Sequence, residues 1–310
     1  MAWPRCARGR KEGTRCTHCR CPCGANTETP QGGWHMAFSM DDLLWMGKVL
    51  QAAGQAELMP RFNRLAPDQI ARKTSAFDVV TLADERSEAA IASDLARRFP
   101  GALIVGEEAA GRDPELLERI GGRDLAFVVD PLDGTRNFAS GLPLFGVMAA
   151  AVVRGEIMAG AIHDPVTGST AYAFRSGGAW LEHEGGGRRI DLRVAAPVPP
   201  DQMDGVIGTN FLPEPLRTRV NQRLSSLSTT CWLRCAAHEY RLAAAGQVHA
   251  LFYNKLMPWD HAAGWLLHRE AGGHSAHFDG SPFLPAHMSG GLICAPDARS
   301  WRDLKAALLD

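Results

Sequence analysis

The sequence predicts an α/β fold of alternating helix and sheet layers, and three observations carry that prediction. Residues 125–129 are a short apolar run of the kind expected for a buried strand, and the run ends at a carboxylate. Residues 85–99 place Ile91, Leu95 and Phe99 at helical spacing among charged neighbours, which marks an amphipathic helix. From 145 to 184 the pattern changes to short strands at 145–153, 157–162, 170–174 and 179–181. Their turns fall at Arg154-Gly155, Asp164-Pro165 and Gly177-Gly178, so this stretch reads as an antiparallel meander.

At 310 residues the chain can bury a large core, in two domains or one extended one. With 45% hydrophobic and 22% charged residues it has the composition of an ordinary soluble protein. A formal net charge of −1 gives no electrostatic reason to expect nucleic acid or an anionic membrane as partner. No apolar stretch approaches a membrane span, and the N-terminus lacks the apolar centre of a secretory signal, so a cytoplasmic enzyme is the expectation. Five of the eight cysteines fall in the first 23 residues; Cys231, Cys235 and Cys294 read as buried reduced thiols.

Taken in order, residues 1–36 are rich in Arg, Gly, Pro and Cys without periodicity, which reads as a disordered extension or as sequence upstream of the true start at Met36 or Met40. Cys16, Cys19, Cys21 and Cys23 supply enough thiolates for a zinc knuckle, but the spacing matches no common finger and no second half follows. Ser39 and Asp42 form a capping-box pattern before Leu43, Leu44, Met46, Val49 and Leu50, and a second helical stretch is expected over 56–65. Beyond a brief strand at 102–105, the second half should hold strands at 205–208, 251–253 and 290–295. It should also hold a buried stretch at 231–235 and helices over 216–227, 236–245, 262–271 and from 298. Gly185-Gly186-Gly187 and the prolines at 197–200 mark a boundary between a first subdomain, 37–190, and a second, 191–310.

Acids stand where strands hand over to helices. Asp130 ends the 125–129 run and Asp133 lies on the following turn, so both can reach one point, and paired hard oxygens suit a cation such as Mg²⁺. An ordinary Asp-Pro/Asp-Gly turn would look the same. The N–H groups near Gly134 and Thr135 could face a phosphate if a helix or nest starts there. Taken singly, Asp84 reads as a helix cap, Glu107 as a surface loop acid and Asp260 as another N-cap.

Together these segments resemble the magnesium-dependent inositol monophosphatase family, which belongs with fructose-1,6-bisphosphatase and the lithium-sensitive nucleotidases. The resemblance covers about 37–310. It rests on Asp130-Pro131-Leu132-Asp133-Gly134-Thr135-Arg136-Asn137-Phe138 and on Trp259-Asp260-x-Ala262-Ala263-Gly264. Gly106-Glu107-Glu108 and Asp78-Val79-Val80-Thr81-x-Ala83-Asp84 support these. It implies the layered sandwich of that family and Mg²⁺-dependent, lithium-sensitive hydrolysis of a small phosphate monoester. It implies Glu107, Asp130 and the Leu132 carbonyl as ligands of one metal, and Asp130, Asp133 and Asp260 as ligands of a second. Asp84 and Thr135 would orient the attacking water, with Glu107 on the same catalytic side. A homodimer is common among such proteins. Neighbouring activities are histidinol-phosphate, sugar-bisphosphate and 3′-phosphonucleotide phosphatases; from another class, the alternative is a silent regulator that binds a phosphorylated metabolite.

The substrate contacts expected are Gly134, Thr135, His238, Glu239, Tyr253 and Lys255. Two departures bear on them. Inositol-specific members carry an acid seven residues before the Asp of the Trp-Asp pair; here that position is Tyr253, with Lys255 close by. Cys235-Ala236-Ala237-His238-Glu239-Tyr240 stands where a Gly/Ala-rich segment is common. Inositol 1-phosphate is therefore expected to be a poor substrate beside esters with a less hydroxylated or additionally anionic alcohol. His261, His268, His274 and His277 do not share a face as a zinc set, and Trp259 and Trp265 read as packing aromatics.

Overall fold

The computed structural model describes residues 38–65, 70–72 and 79–310. The cysteine cluster at 16–23 and Asp78 lie outside the described residues. Residues 36–310 make up one compact unit.

Helix α1 (Met40–Ala53) opens on the expected capping box, Ser39 and Asp42 exchanging side-chain and backbone hydrogen bonds. It does not give way to a separate helix over 56–65. Instead it runs on through one π-type turn, Gly54–Leu58, because the Met59 N–H reaches back five residues to the Gly54 carbonyl. Strands β1 (Ile70–Arg72) and β2 (Val79–Thr81) pair antiparallel and lead into α2 (Leu82–Arg98).

A seven-stranded sheet follows. In space its order is that of the chain: β3 (Leu103–Gly106), β4 (Ala126–Asp133), β5 (Gly146–Val153), β6 (Glu156–Asp164), β7 (Ser169–Phe174), β8 (Gly178–His183) and β9 (Ile190–Asp191). Only β3 and β4 pair parallel, with α3 (Glu107–Arg112) and α4 (Glu115–Glu118) between them; β4 is followed by α5 (Thr135–Ala139). The second sheet begins with β10 (Asp204–Ile207), α6 (Leu216–Arg223) and β11 (Thr229–Cys231). Then come α7 (Ala236–Ala244), β12 (Ala250–Tyr253), α8 (Pro258–Glu270), β13 (His274–Ala276), β14 (Leu292–Ala295) and α9 (Ala298–Leu308). Its spatial order is β11-β10-β12-β14-β13, with β10 parallel to both neighbours.

Strand periodicity builds the layers. Phe127, Val129, Val147, Ala149 and Ala161 point to one face of the large sheet, where Leu43, Met46, Leu50, Ile91 and Leu95 of α1 and α2 cover them. Their neighbours Ala126, Val128, Met148, Ala150 and Ile162 point the other way, onto Ala237 and Tyr240 of α7 and Ala263 and Leu266 of α8. Leu251 and Cys294 bring the second sheet onto the same helices. Its outer face, Ile207, Phe252 and Ile293, is closed by Val220, Trp301 and Leu304 of α6 and α9. The order is helix, sheet, helix, sheet, helix, as the sequence predicts.

Glycines let the central helices approach the large sheet and each other closely. A Cβ at Gly160 would stand 2.9 Å from the Ala263 Cα, and one at Gly264 would fall 2.0 Å from a ring carbon of Tyr240. Two expectations change. Cys235 and Cys294 are buried, but Cys231 is exposed, because β11 is the edge strand of its sheet. Helix α8 starts at Pro258 rather than 262, Pro258 taking the first turn where its missing N–H costs nothing.

Candidate active site

The carboxyl ends of β4, β10 and β12 and the starts of α3, α5, α7 and α8 meet at one cavity of about 210 Å³. Glu107 reaches it from the first position of α3. The buried Glu88 carboxylate of α2 takes the N–H groups of Glu108 and Ala109 at 2.7 and 2.8 Å, capping that helix from outside. A Cβ at position 106 would lie 2.2 Å from Glu88 Oε2, so a larger residue there would push Glu88 off the two N–H groups it caps.

Asp130 and Asp133 reach the cavity together because the β4–β5 pairing slips between them. Pro131 has no N–H to give the ladder, so the strand bulges and its alternation is reset. Ser87 Oγ donates to the Pro131 carbonyl at 2.9 Å, and the Leu132 N–H donates to Asp130 Oδ1 at 3.1 Å. Gly134 then takes φ +84°, and a Cβ there would stand 2.7 Å from the Leu144 carbonyl. Thr135 opens α5 with its hydroxyl 3.0 Å from Asp84 Oδ1 and 2.9 Å from the Leu132 carbonyl.

Asp84 is not the cap of α2. Thr81 is, and Asp84, at the third position, returns the bond by accepting the Thr81 N–H and hydroxyl on Oδ2. Its other oxygen is left for Thr135. Nor does Asp260 cap α8: it occupies the third helical position, lines the cavity and stands close enough to Asp130 for each to shift the other. Asp133 Oδ2 accepts the Ala237 N–H at the start of α7 and the Cys235 thiol at 3.1 Å.

Leu132, Gly134, Glu239, Tyr253 and Lys255 line the same cavity. His238 does not. One residue along a helix is a rotation of roughly 100°, so with Glu239 facing the cavity His238 turns away and donates from Nε2 to the Phe145 carbonyl at 3.1 Å. The Tyr253 hydroxyl is buried and has no partner at hydrogen-bonding geometry, although it lies close enough to the Glu239 carboxylate for each to shift the other.

Burial and mutual repulsion dominate the electrostatics. Burial, then Glu107, Asp133 and Asp260, push Asp130 well above the usual carboxylate range. Burial raises Asp133 to about 7 against the Ala237 N–H and Cys235 thiol, and Asp260 to about 8 against the pull of Lys255. Asp84 rises to about 7, also chiefly from burial.

Such a donor set fits a hard divalent cation: oxygens only, from four acids and the Leu132 carbonyl, in a setting that disfavours their negative charge. The acids line a common space without forming a finished polyhedron; among the described residues no three carboxylate, imidazole or thiol side chains are gathered at metal-binding distance.

Glu88, Ser87 and Asn137 escaped the sequence reading. The signal for the first two was present: Asp84, Ser87 and Glu88 precede Ile91 by seven, four and three residues, so they share its apolar face. Asn137 ties α5 to two loops, donating to the Leu144 and Leu233 carbonyls at 2.8 Å each. No local pattern announces that.

Five alternating layers with an acid-walled cavity at the strand ends define a layered α/β protein with one candidate cation site. The chain belongs to the inositol monophosphatase family, whose sequence model matches residues 42–310. It is 32% identical over 271 residues to the Nus factor SuhB of Salmonella typhimurium, covering 84% of this chain and 94% of that one. It is 31% identical over 243 residues to a fructose-1,6-bisphosphatase/inositol-1-monophosphatase of Thermotoga maritima, covering 78% and 86%. In structure it is similar to the extragenic suppressor protein SuhB of Bartonella henselae, with a TM-score of 0.74 at 27% identity, covering 86% of this chain and 97% of that one. Among the described residues no helix is long and apolar enough to cross a membrane.

Proposed function

We propose that the protein hydrolyses a small phosphate monoester with Mg²⁺ as cofactor. The observation that carries this reading is the gathering of Glu107, Asp130, Asp133 and Asp260 around one cavity beside the Thr135–Asp84 pair. Glu107, Asp130, Asp133, Asp260 and the Leu132 carbonyl would hold the metal. Bound there, Mg²⁺ supplies charge stabilisation for the phosphoryl oxygens and acidifies water.

The chain's own groups do the rest. With its proton donated to Asp84, the Thr135 oxygen keeps lone pairs with which to accept a hydrogen bond from water, and this fixes the water's orientation. Gly134 and Thr135 line the same cavity, so their N–H groups would be the backbone donors for a phosphoryl oxygen. The water oxygen bonds to phosphorus as the ester P–O bond breaks, and one water proton leaves with the alcohol. No covalent residue is needed.

Phosphate release from a panel of monoesters, with and without Mg²⁺, tests this. Asp130→Asn and Asp133→Asn should each reduce turnover by orders of magnitude, with the fold kept. Near-normal turnover of either variant at saturating Mg²⁺ refutes the assignment. Relatives named Nus factor SuhB raise a second reading, a regulator that binds a phosphorylated metabolite without turnover. Metal-dependent ligand binding with no phosphate release would favour it.

A further inference from the structure

On the phosphatase reading above, we infer that Glu239 is a positioning residue for Asp133 rather than a contact for the substrate. It fixes the turn 233–235, and that turn orients the Asp133 carboxylate for the cation. Glu239 stands in the first turn of α7 and lines the cavity, yet it is only 2% exposed. Its carboxylate is already engaged. Oε1 accepts the Leu233 N–H at 3.1 Å, and the backbone N–H groups of Arg234 and Cys235 also stabilise its charged form. Successive N–H groups converging from a turn make a seat for an anion, and here the protein's own carboxylate occupies it. Within this turn Arg234 takes φ +59°, the left-handed region that disfavours a side chain. Such a conformation persists only where its surroundings over-determine it.

The clamp has a second jaw. Asn137 of α5, fully buried, donates to the Leu233 carbonyl at 2.8 Å, so buried side chains from two helices hold both polar groups of the Leu233 backbone. Asn137 donates as well to the Leu144 carbonyl at 2.8 Å, just before β5 begins at Gly146, the residue that pairs with Asp133. The turn and the strand beside Asp133 are thus tied to one amide.

What the turn delivers is two donors on one oxygen. Cys235 donates its thiol to Asp133 Oδ2 at 3.1 Å, and the Ala237 N–H meets the same oxygen. Together they set the rotation of the carboxylate before any cation binds, which is what an outer partner contributes to a metal ligand. The packing leaves little slack to absorb a shift of the turn. A Cβ at Gly134 would stand 3.3 Å from Cys235 Sγ, and one at Gly146 would stand 2.7 Å from the Ala237 Cβ.

The test measures Mg²⁺ affinity by calorimetry on the full chain without substrate, well below the melting temperature, beside kcat and KM for p-nitrophenyl phosphate. Glu239→Gln keeps the size but loses the charge, and should weaken Mg²⁺ binding about tenfold, the scale on which outer partners of metal ligands act. Glu239→Asp, which keeps the charge but shortens its reach, should act in the same direction and carries the test if the amide variant does not fold. Cys235→Ala should weaken Mg²⁺ binding from the other end of the same contacts, with partial recovery in Cys235→Ser, which keeps a donor. Combined, Glu239→Gln and Cys235→Ala should cost far less than the product of the two, because both act on one carboxylate. Val220→Ala, which loosens the outer core at α6, should lower the melting temperature and leave Mg²⁺ affinity unchanged. Parental Mg²⁺ affinity in the Glu239 variants overturns the inference and leaves the phosphatase reading intact; a raised KM alone would then make Glu239 a substrate contact. Independent losses in the double variant overturn it as well. A parent protein that binds no Mg²⁺ overturns the Mg²⁺-dependent reading, and the inference with it.

Discussion

Glu88 never enters the cavity, yet it sets the first turn of α3, from which Glu107 reaches the other acids. Glu88→Gln exchanges a charged acceptor of two N–H groups for an amide that can accept with its oxygen alone. Charge-assisted bonds of this kind are worth about 1.5–3 kcal/mol, so the melting temperature should fall. On the proposed function, the Mg²⁺ concentration for half-maximal turnover should rise several-fold as Glu107 loses its fixed position. An unchanged Mg²⁺ requirement would mean that Glu88 is only a helix cap. At the same scale, Thr135→Ala and Asp84→Asn should each cut turnover with little change in substrate affinity, and together should cost far less than the product of the two, because they share one hydrogen bond.

At the scale of elements, α8 links the chemistry to the core. Its first turn carries Asp260 and His261, and its next carries the small residues Ala262, Ala263 and Gly264, which let it lie between the two sheets. Gly264 faces the fully buried ring of Tyr240, whose hydroxyl bonds His261 and whose face stacks on Tyr253 at 5.4 Å. An alanine there must displace a ring fixed on three sides. Gly264→Ala should therefore destabilise the protein by about 1–3 kcal/mol, as overpacking does. It should also disturb the Tyr253 wall of the cavity, whereas Gly272→Ala, with nothing within 4 Å but φ +98°, should cost stability and leave the wall alone. Thermal melts with ligand affinities on both variants separate the two effects.

Across the whole molecule, burial holds several histidines neutral. His268, 1% exposed and bonded to Ser275 Oγ, is lowered to about 4 by burial, with His274 adding to the effect. The unfolded chain takes up that proton near pH 6.5 and the folded chain refuses it until about 4. This contribution is therefore complete above pH 6.5 and is lost as the pH falls towards 4. The loss amounts to about 3 kcal/mol at the 1.36 kcal/mol that each pKa unit represents. The raised carboxylates of the cavity work in the opposite sense, so the readable quantity is a difference. His268→Gln should lose less stability than the parent between pH 6.5 and 4, measured by denaturant midpoints; parallel curves would place the acid sensitivity elsewhere.

The sequence by itself determined the elements and their buried faces, because alternation in strands and the 3.6 period in helices are local patterns, while the layered sandwich was what the family resemblance implied. It also determined where each acid stands along the chain: Asp130 and Asp133 on a turn after an apolar run, Glu107 after a brief strand, and Asp84 and Asp260 at helix starts. What Asp84 and Asp260 do there was not local. Each reads as a cap until Thr81 is seen to cap α2 and Pro258 to begin α8, which frees both carboxylates for partners 51 and 130 residues away. Tertiary structure alone also decided that Glu239 rather than its neighbour His238 faces the cavity, and that Glu88 supports Glu107. It also left Arg234 in a left-handed turn without a counter-ion among the described residues. These depend on helix rotation and on contacts between residues distant in sequence, and such contacts leave no periodic trace in the chain.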